Sequence, residues 1–240
     1  MKAVILAAGI GSRIRPLTDD IHKSLLKIGD STILYRMLTN IKDASITDVI
    51  IITGYLEEMV KTFVTENFPS LHFTFIPNEK YLETNTGYSL MLTKDAVGES
   101  DFVKFDADVV FEQAVLEKLL SHEGSTALCI DTHIHLEAEE VKVNLDEHGK
   151  VVKVGKTLNP HTAQGESIGI EKIGRDAGRL LFAELERLMQ DPRNYNEYYD
   201  DSYTTLVNEG IPFYAVDITG LKWVEVDTHE DYKKAVEIFR

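Results

Sequence analysis

The sequence predicts an α/β fold in which a mostly parallel, mixed β-sheet is flanked by helices and carries a small inserted β region. In the first half of the chain, short apolar runs alternate with amphipathic helical stretches, as in a sheet buried on both faces. In the second half, VKVNL at 141–145 and KVVKVGK at 150–156 flank the turn sequence DEHG, which is typical of a β-hairpin. We expect residues 1–240 to form a single domain.

The first half supplies three predicted strands and two predicted helices. The strands are AVILAA at 3–8, DVIIIT at 48–53 and DFVKF at 101–105, which are rich in apolar residues and bounded by Gly or Asp. Between them, the stretches at 33–41 and 57–68 place their apolar residues on one helical stripe. This alternation predicts parallel strands joined by helical crossovers.

The second half adds further elements after the hairpin. GESIGIEKI at 165–173 is predicted as a strand, and the stretch at 175–190 as an amphipathic helix. WVEVD at 223–227 alternates as a strand does. The last helix is expected to open at Thr228, with Asp231 three residues further on as in a capping box.

Composition excludes several classes of function. Forty acidic residues against 25 basic ones give a net charge of -15, which argues against nucleic acid as a partner. No apolar run reaches the length of a membrane span, and the short one near the start is followed at once by Arg13 and Arg15, unlike a signal peptide. We therefore expect a cytoplasmic protein. Cys129, His133 and His135 are interpreted as structural or surface residues, and the oligomeric state is left open.

A glycine turn follows the first predicted strand, in LAAGIGSRIRP at 6–16. Gly9 and Gly11 would let backbone amides approach a phosphate, although a mere tight turn is the alternative. The dinucleotide fingerprint fails here because Ile14 stands where it needs glycine. The segment at 13–27 is locally basic, which favours an anionic ligand at this turn.

The stretch LAAGIGSRIRPLTDDIHKSLLKIG at 6–29 closely resembles the signature of the sugar-phosphate and phosphocholine nucleotidyltransferases, L-A-A-G-x-G-x-R-x-x-P-L-T followed by P-K-x-L. His22 stands where that signature has proline. NEKYLETNTGYSLMLTKD, DFVKFDADVVFE, VGKTL, GESIGIEKI and TGLKWVEVDTHEDYKKA also resemble the bacterial phosphocholine cytidylyltransferases and their relatives that use 2-aminoethylphosphonate. The resemblance implies a GT-A-like, Rossmann-like nucleotidyltransferase fold.

The implied activity is transfer of CMP from CTP to a small phosphorylated or phosphonate head group, phosphocholine or 2-aminoethylphosphonate, with release of pyrophosphate and dependence on Mg²⁺. A sugar-1-phosphate or inositol-1-phosphate nucleotidyltransferase is the first alternative, because the glycine-loop signature is common to both groups. A glycosyltransferase or an inactive regulatory relative is the second.

The resemblance also implies roles for individual residues on the nucleotide side. Arg13 and Lys23 are implied as catalytic residues that meet the β- and γ-phosphates and the α-phosphate, respectively. Asp108 and Asp227 are implied as Mg²⁺ ligands, whereas D-x-D alone would more often be solvated or capping aspartates. Residues implied to bind the nucleotide are Leu6, Ala8, Gly9, Gly11, Asn85, Gly87 and Asp106.

The acceptor site is expected between the hairpin and the last strand. Lys156 of VGK matches the family lysine that meets the acceptor phosphate, with an exposed strand-end lysine as the alternative. In NYNEYYDDSY at 194–203, rings and carboxylates alternate as a cationic head group requires, but Tyr199 and Tyr203 could equally pack on the sheet. Further residues expected to bind the acceptor are Glu166, Tyr199, Asp201, Tyr203 and Glu225.

Overall fold

The computed structural model describes residues 1–133, 136 and 139–240. The strands are β1 (Lys2–Ala7), β2 (Lys27–Ile28), β3 (Ser31–Thr32), β4 (Asp48–Thr53), β5 (His72–Pro77), β6 (Phe102–Asp106), β7 (Val109–Phe111), β8 (Ala127–Asp131), β9 (Lys142–Leu145), β10 (Val151–Gly155), β11 (Gly165–Ile173), β12 (Tyr214–Asp217) and β13 (Trp223–Glu225). The helices are α1 (Ile33–Asp43), α2 (Glu57–Asn67), α3 (Thr86–Met91), α4 (Lys94–Val97), α5 (Gln113–Ser121), α6 (Arg175–Leu188), α7 (Tyr199–Asn208) and α8 (His229–Ile238).

A nine-stranded mixed sheet runs through the described part of the chain, in the order β10-β9-β11-β6-β1-β4-β5, with β8 paired to β11 and β12 paired to β8. β1 pairs in parallel with both β4 and β6, and β4 pairs in parallel with β5. β11 then runs antiparallel to β6, and β9 and β10 form the antiparallel hairpin that DEHG predicts. The predicted mixed, mostly parallel α/β fold is confirmed.

The core explains why the first strands read as continuous apolar runs. β1 is packed on both faces, because one cluster of buried side chains contains Ala3 and Ile5 and a second contains Val4 and Leu6. α1 buries Ile33, Leu34, Met37, Leu38 and Ile41, the stripe that its sequence periodicity predicts. The chain then leaves the carboxyl ends of β1 and β6 side by side, where open α/β sheets form ligand crevices.

Two strands outside the main sheet complete this edge. β13 pairs antiparallel with β7, with Glu225 opposite Val109. The strand ends at Glu225 and is shorter than the predicted 223–227, because the chain turns there into α8. Thr228 caps that helix in the predicted capping box with Asp231. No helix in the described ranges has the length and apolarity that crossing a membrane requires.

Gly169 fits β11 closely against the end of β6. Its φ is +75°, and the pairing of β11 with β8 shifts register between Ser167 and Glu171, which indicates a bulge. A Cβ atom at Gly169 would overlap the Asp106 carboxylate. The glycine therefore serves both the left-handed backbone and the close approach of Asp106.

We expect Gly169→Ala to lower the free energy of unfolding by about 2–4 kcal/mol, because backbone strain and overlap with Asp106 add together. Gly149→Ala is the matched control, since Gly149 also has φ +75° but has nothing within 4 Å of the added Cβ. The control should lose only about 1 kcal/mol. Urea denaturation measures both losses, and equal losses would contradict the assigned contact.

Candidate functional site

A cleft of about 1660 Å³ opens at the carboxyl ends of β1 and β6. Its walls come from the glycine turn after β1, the D-x-D segment after β6, the middle of β11, the start of α7 and the segment from β13 into α8. The predicted site residues that line it are Leu6, Ala8, Gly9, Gly11, Arg13, Lys23, Asn85, Asp106, Asp108, Lys156, Glu166, Tyr199, Glu225 and Asp227.

The glycine turn has a defined shape at Gly11. This residue has φ +60°, and a Cβ atom there would lie 3.1 Å from Thr18 Cγ2 and 3.2 Å from Lys23 Cβ. Thr18 Oγ1 donates a hydrogen bond to Gly11 O over 2.8 Å. A short 3-10 helix at Ser12–Ile14 follows and buries Ile14 completely, which explains an apolar residue at the position where a dinucleotide fingerprint would have glycine.

An ammonium group bridges two carboxylates at the centre of the cleft. Lys23 Nζ lies 2.8 Å from Asp108 Oδ2 and 2.5 Å from Asp227 Oδ1. Burial lowers the pKa of Lys23, but the charges of Asp108 and Asp227 outweigh it and hold this pKa above its ordinary value. Lys23 is therefore a permanent cation at neutral pH.

The small β7–β13 sheet is what brings Asp227 to Asp108. Val226 N donates to Asp108 O over 3.0 Å, so the residue after Val226 lies beside the D-x-D segment. Arg13, whose side chain is about half exposed, donates from Nη2 to Asp227 Oδ2 over 2.5 Å. Both predicted catalytic cations thus share one carboxylate.

Three carboxylates form a cluster that could hold a divalent cation. One oxygen from each of Asp108, Glu225 and Asp227 lies within 4.8 Å of the others. Asp108 Oδ1 is buried and has no hydrogen-bond partner among the described residues. Burial and the charges of Asp108 and Asp227 raise the pKa of Glu225 well above its ordinary value. Crowded carboxylate oxygens of this kind fit a hard cation such as Mg²⁺.

A buried lysine that sequence reasoning missed lies behind Asp106. Lys104 is fully buried in β6, with Nζ 2.9 Å from Asp106 Oδ2 and 2.8 Å from Glu171 Oε2. It also hydrogen-bonds to the hydroxyl of Tyr199, and that hydroxyl donates to Asp106 Oδ2 over 2.5 Å. The available signal was a charged residue inside the apolar run FVKFD. The network holds the wall of the cleft to α7.

The structure places the tyrosines of α7 differently from our prediction that both bind the acceptor. Tyr203 is fully buried, with its ring 5.5 Å from Tyr199 and 5.1 Å from Phe213, so it belongs to the core. Tyr199 lines the cleft but is also nearly buried, and its ring face is covered by Lys104 Nζ, 3.8 Å from the ring centroid. For Tyr203 the alternative of packing on the sheet describes the structure.

Asp200 takes the place that we predicted for Asp201. Asp201 is exposed and is not among the described residues that line the cleft, since adjacent helical residues point about 100° apart. Asp200 lines the cleft, is nearly buried, and has no hydrogen-bond partner for Oδ1 among the described residues. Burial raises the pKa of Asp200 to about 7, even though Lys104 opposes this. Which of Asp200 and Asp201 faces the cleft depends on where α7 begins, and the sequence alone does not give that residue.

Gly87, which we predicted to bind the nucleotide, is not among the described residues that line the cleft. Its N–H donates to Glu197 O over 3.2 Å, and a Cβ atom there would lie only 2.7 Å from that oxygen. The glycine therefore lets α3 pack on the segment before α7. Asn85 does line the cleft, but its side chain also caps α3 by accepting from Thr86 N.

Glu166 is a second nearly buried carboxylate at the cleft. Its Oε2 has no hydrogen-bond partner in the described ranges, and burial together with the charges of Glu140 and Asp131 raises its pKa to about 8. Lys156 also lines the cleft, with Nζ 4.6 Å from the Tyr198 ring centroid.

Cys129 and His133, which we interpreted as structural or surface residues, lie in the core and on the surface, respectively. Cys129 is fully buried in β8, where burial raises the pKa of its thiol. His133 is exposed, and His135 lies outside the described residues.

Comparison with known proteins gives a consistent result. A model of the nucleotidyl transferase family matches residues 2–153. The choline-phosphate cytidylyltransferase of Haemophilus influenzae is 30% identical over 97% of this chain and 94% of its own length. The bifunctional IPC transferase and DIPP synthase of Aquifex aeolicus is 28% identical over 97% of this chain, but this chain spans only 50% of that protein.

Among solved structures, the CTP:phosphocholine cytidylyltransferase from Streptococcus pneumoniae superposes with a TM-score of 0.78. The match covers 100% of this chain and 99% of that one at 23% identity. At 23% identity, this structural similarity is evidence for the fold alone.

We expect Glu166 to make stability depend on pH. Its pKa of about 8 in the fold lies above the ordinary 4.5, so unfolding releases its proton between these values. Glu166 alone should therefore lower the free energy of unfolding by on the order of 3 kcal/mol as pH rises from about 5 to 8, and Glu166→Gln should remove this share of the fall while Asp200 and Glu171 keep theirs. Urea denaturation across this range measures it, with exposed Glu147→Gln as the control. Parallel curves for wild type and Glu166→Gln would contradict the assignment.

Proposed function

Because this chain belongs to the nucleotidyl transferase family, we propose that it transfers CMP from CTP to a small, amine-bearing phosphorylated or phosphonate head group and releases pyrophosphate. One observation carries the proposal: the Lys23 ammonium lies between Asp108 and Asp227, beside Arg13 and the glycine turn. A nucleotide sugar alone would not call for this pair of cations in the turn. We place the reaction in the cytoplasm.

The triphosphate fits the end of the cleft where the glycine turn and both cations meet. The backbone amides of the turn can approach phosphate oxygens at Gly9, where a Cβ atom would have open space around it. The planar guanidinium of Arg13 suits the departing β- and γ-phosphates, and Lys23 suits the α-phosphate as a point charge. These groups stabilise charge that develops as pyrophosphate leaves.

The reaction is attack by an acceptor oxygen on the α-phosphorus of the triphosphate. A phosphate monoester has a second pKa of about 6. At neutral pH its attacking oxygen is therefore already ionised, and no general base is needed. Asp108, Asp227 and Glu225 would hold Mg²⁺, which supplies charge neutralisation on the triphosphate when bound. The protein's own task is to align the acceptor with the α-phosphorus.

CTP is favoured by the relatives. The Streptococcus pneumoniae protein is named for CTP and phosphocholine, and the Haemophilus influenzae relative for choline phosphate. In this chain, Asn78, Thr84 and Ser89 line the cleft near Asn85, and Asn78 Nδ2 donates to both hydroxyls. This polar wall offers hydrogen-bonding groups to a base.

The acceptor wall suits an ammonium that can donate hydrogen bonds. Glu166 Oε2 and Asp200 Oδ1 are buried oxygens without partners among the described residues. The ring faces of Tyr198 and Tyr199 are covered by Lys156 and Lys104. A quaternary ammonium has no N–H and depends on open ring faces, whereas a primary ammonium can donate a hydrogen bond to a buried oxygen such as Asp200 Oδ1. We therefore favour 2-aminoethylphosphonate over phosphocholine, with Lys156 meeting the phosphonate.

Pyrophosphate release with a panel of triphosphates and acceptors tests this function. We expect the highest kcat/KM with CTP and 2-aminoethylphosphonate, and only when Mg²⁺ is present. Asp200→Asn should raise the KM of the amine by about 10-fold or more, since a charged hydrogen bond is lost. Asp201→Asn, next to it on the exposed side of α7, is the matched control.

Each other outcome has a distinct meaning. Faster turnover of inositol 1-phosphate or glucose 1-phosphate would overturn the amine-bearing acceptor. Preference for phosphocholine would overturn only the choice of a primary amine. An effect of Asp201→Asn in place of Asp200→Asn would restore the assignment made from the sequence.

Lys23→Ala should lower kcat by about 100-fold or more, because its charge acts on the phosphoryl group being transferred. Lys27→Ala removes the same charge from an exposed position in β2, four residues further along the chain, and should leave kcat within about 2-fold. Steady-state kinetics and circular dichroism measure activity and folding together. Near-normal turnover in a folded Lys23→Ala variant would contradict the role of Lys23.

A further inference from the structure

His22, the residue that departs from the family signature, is built into the floor of the cleft. Its side chain is nearly fully buried and caps a short 3-10 helix, Lys23–Leu25. Nε2 lies 3.0 Å from Ala7 O, at the end of β1, and Nδ1 lies 2.8 Å from Ser24 Oγ. The ring thus joins the strand before the glycine turn to the loop that carries Lys23.

The two contacts fix the protonation of the ring. Ala7 O can only accept, so Nε2 carries the hydrogen, and Nδ1 is left to accept from Ser24 N over 3.2 Å and from the Ser24 hydroxyl. Burial lowers the pKa of His22 to about 4, although the hydrogen bond to Ala7 opposes this. The neutral ring therefore has both nitrogens satisfied at neutral pH.

We propose that His22 is a positioning residue that fixes the backbone of the loop at residues 22–26 and thereby sets the Lys23 ammonium between Asp108 and Asp227. Lys23 follows His22 directly, and its long side chain must end within hydrogen-bond distance of two carboxylates from distant parts of the chain. A loop free to shift by about 1 Å would misplace this charge during phosphoryl transfer.

The backbone of His22 shows which substitution can replace its effect. Its φ is −63° and its ψ is 136°, and among the described residues its N–H makes no hydrogen bond. Proline fixes φ at about −65° and lacks an N–H, so it matches both the φ of His22 and its unbonded N–H. Alanine provides neither the ring contacts nor the fixed φ.

The experiment compares His22→Ala with His22→Pro, and its activity readout rests on the proposed function. His22→Ala should lower kcat by about 10- to 100-fold with KM values within about 3-fold, because ground-state binding is kept while Lys23 is misplaced. His22→Pro should keep kcat within about 3-fold of wild type. Exposed His148→Ala serves as the control for loss of a histidine.

Hydrogen exchange of the amides at residues 23–26, read by mass spectrometry, tests the same inference without any substrate. Exchange should be faster in His22→Ala and close to wild type in His22→Pro. Unchanged exchange and kcat in His22→Ala would overturn the proposal, and so would equal losses in both variants. If wild type releases no pyrophosphate with any substrate pair, the proposed function fails, while the exchange comparison still decides the role of His22.

Discussion

The ion pairs of Lys23 with Asp108 and Asp227 are the interaction on which the site depends. The lysine comes from the loop after β1, Asp108 from the turn after β6, and Asp227 from the chain just after β13. All three side chains are mostly buried, and an unpaired charge in a buried position would be costly. The ion pairs therefore hold the three elements together. In the proposed reaction, the same charges would meet the triphosphate and a metal ion.

A second buried cation organises the opposite wall. Lys104 has three carboxylates around it, Asp106, Glu171 and Asp200, and cannot neutralise all of them. Burial raises the pKa of Glu171 to about 8, so the group gains protons more readily than an ordinary carboxyl group. The network joins β6, β11 and α7 through side chains alone. One lysine thus serves several buried carboxyl groups, and the raised pKa values of Glu171 and Asp200 reflect that shortage of positive charge.

The sequence predicted those parts of the molecule that depend on local pattern. Apolar runs and helical stripes indicated β1, β4, β6, α1 and α2, and the motif at 6–29 indicated the cleft and Lys23. β5 and β12 were not predicted. HFTFIP does alternate apolar and polar residues, but as an edge strand it lacks the continuous apolar run that marks β1 and β4. Lys104, Asp200 and the core position of Tyr203 depend on helix phase and on partners far away in the chain. No local pattern carries that information.

The pairing of β13 with β7 has a consequence for when the site exists during folding. Lys23 and Asp227 are 204 residues apart in sequence, and their contact depends on a two-stranded sheet separate from the main one. Contacts between such distant residues are costly in loop-closure entropy and tend to form late. A two-stranded sheet of this kind can also open locally while the main sheet stays intact. A triphosphate would then bind only after β7 and β13 have paired. Its binding would in turn oppose the opening of this small sheet by mass action.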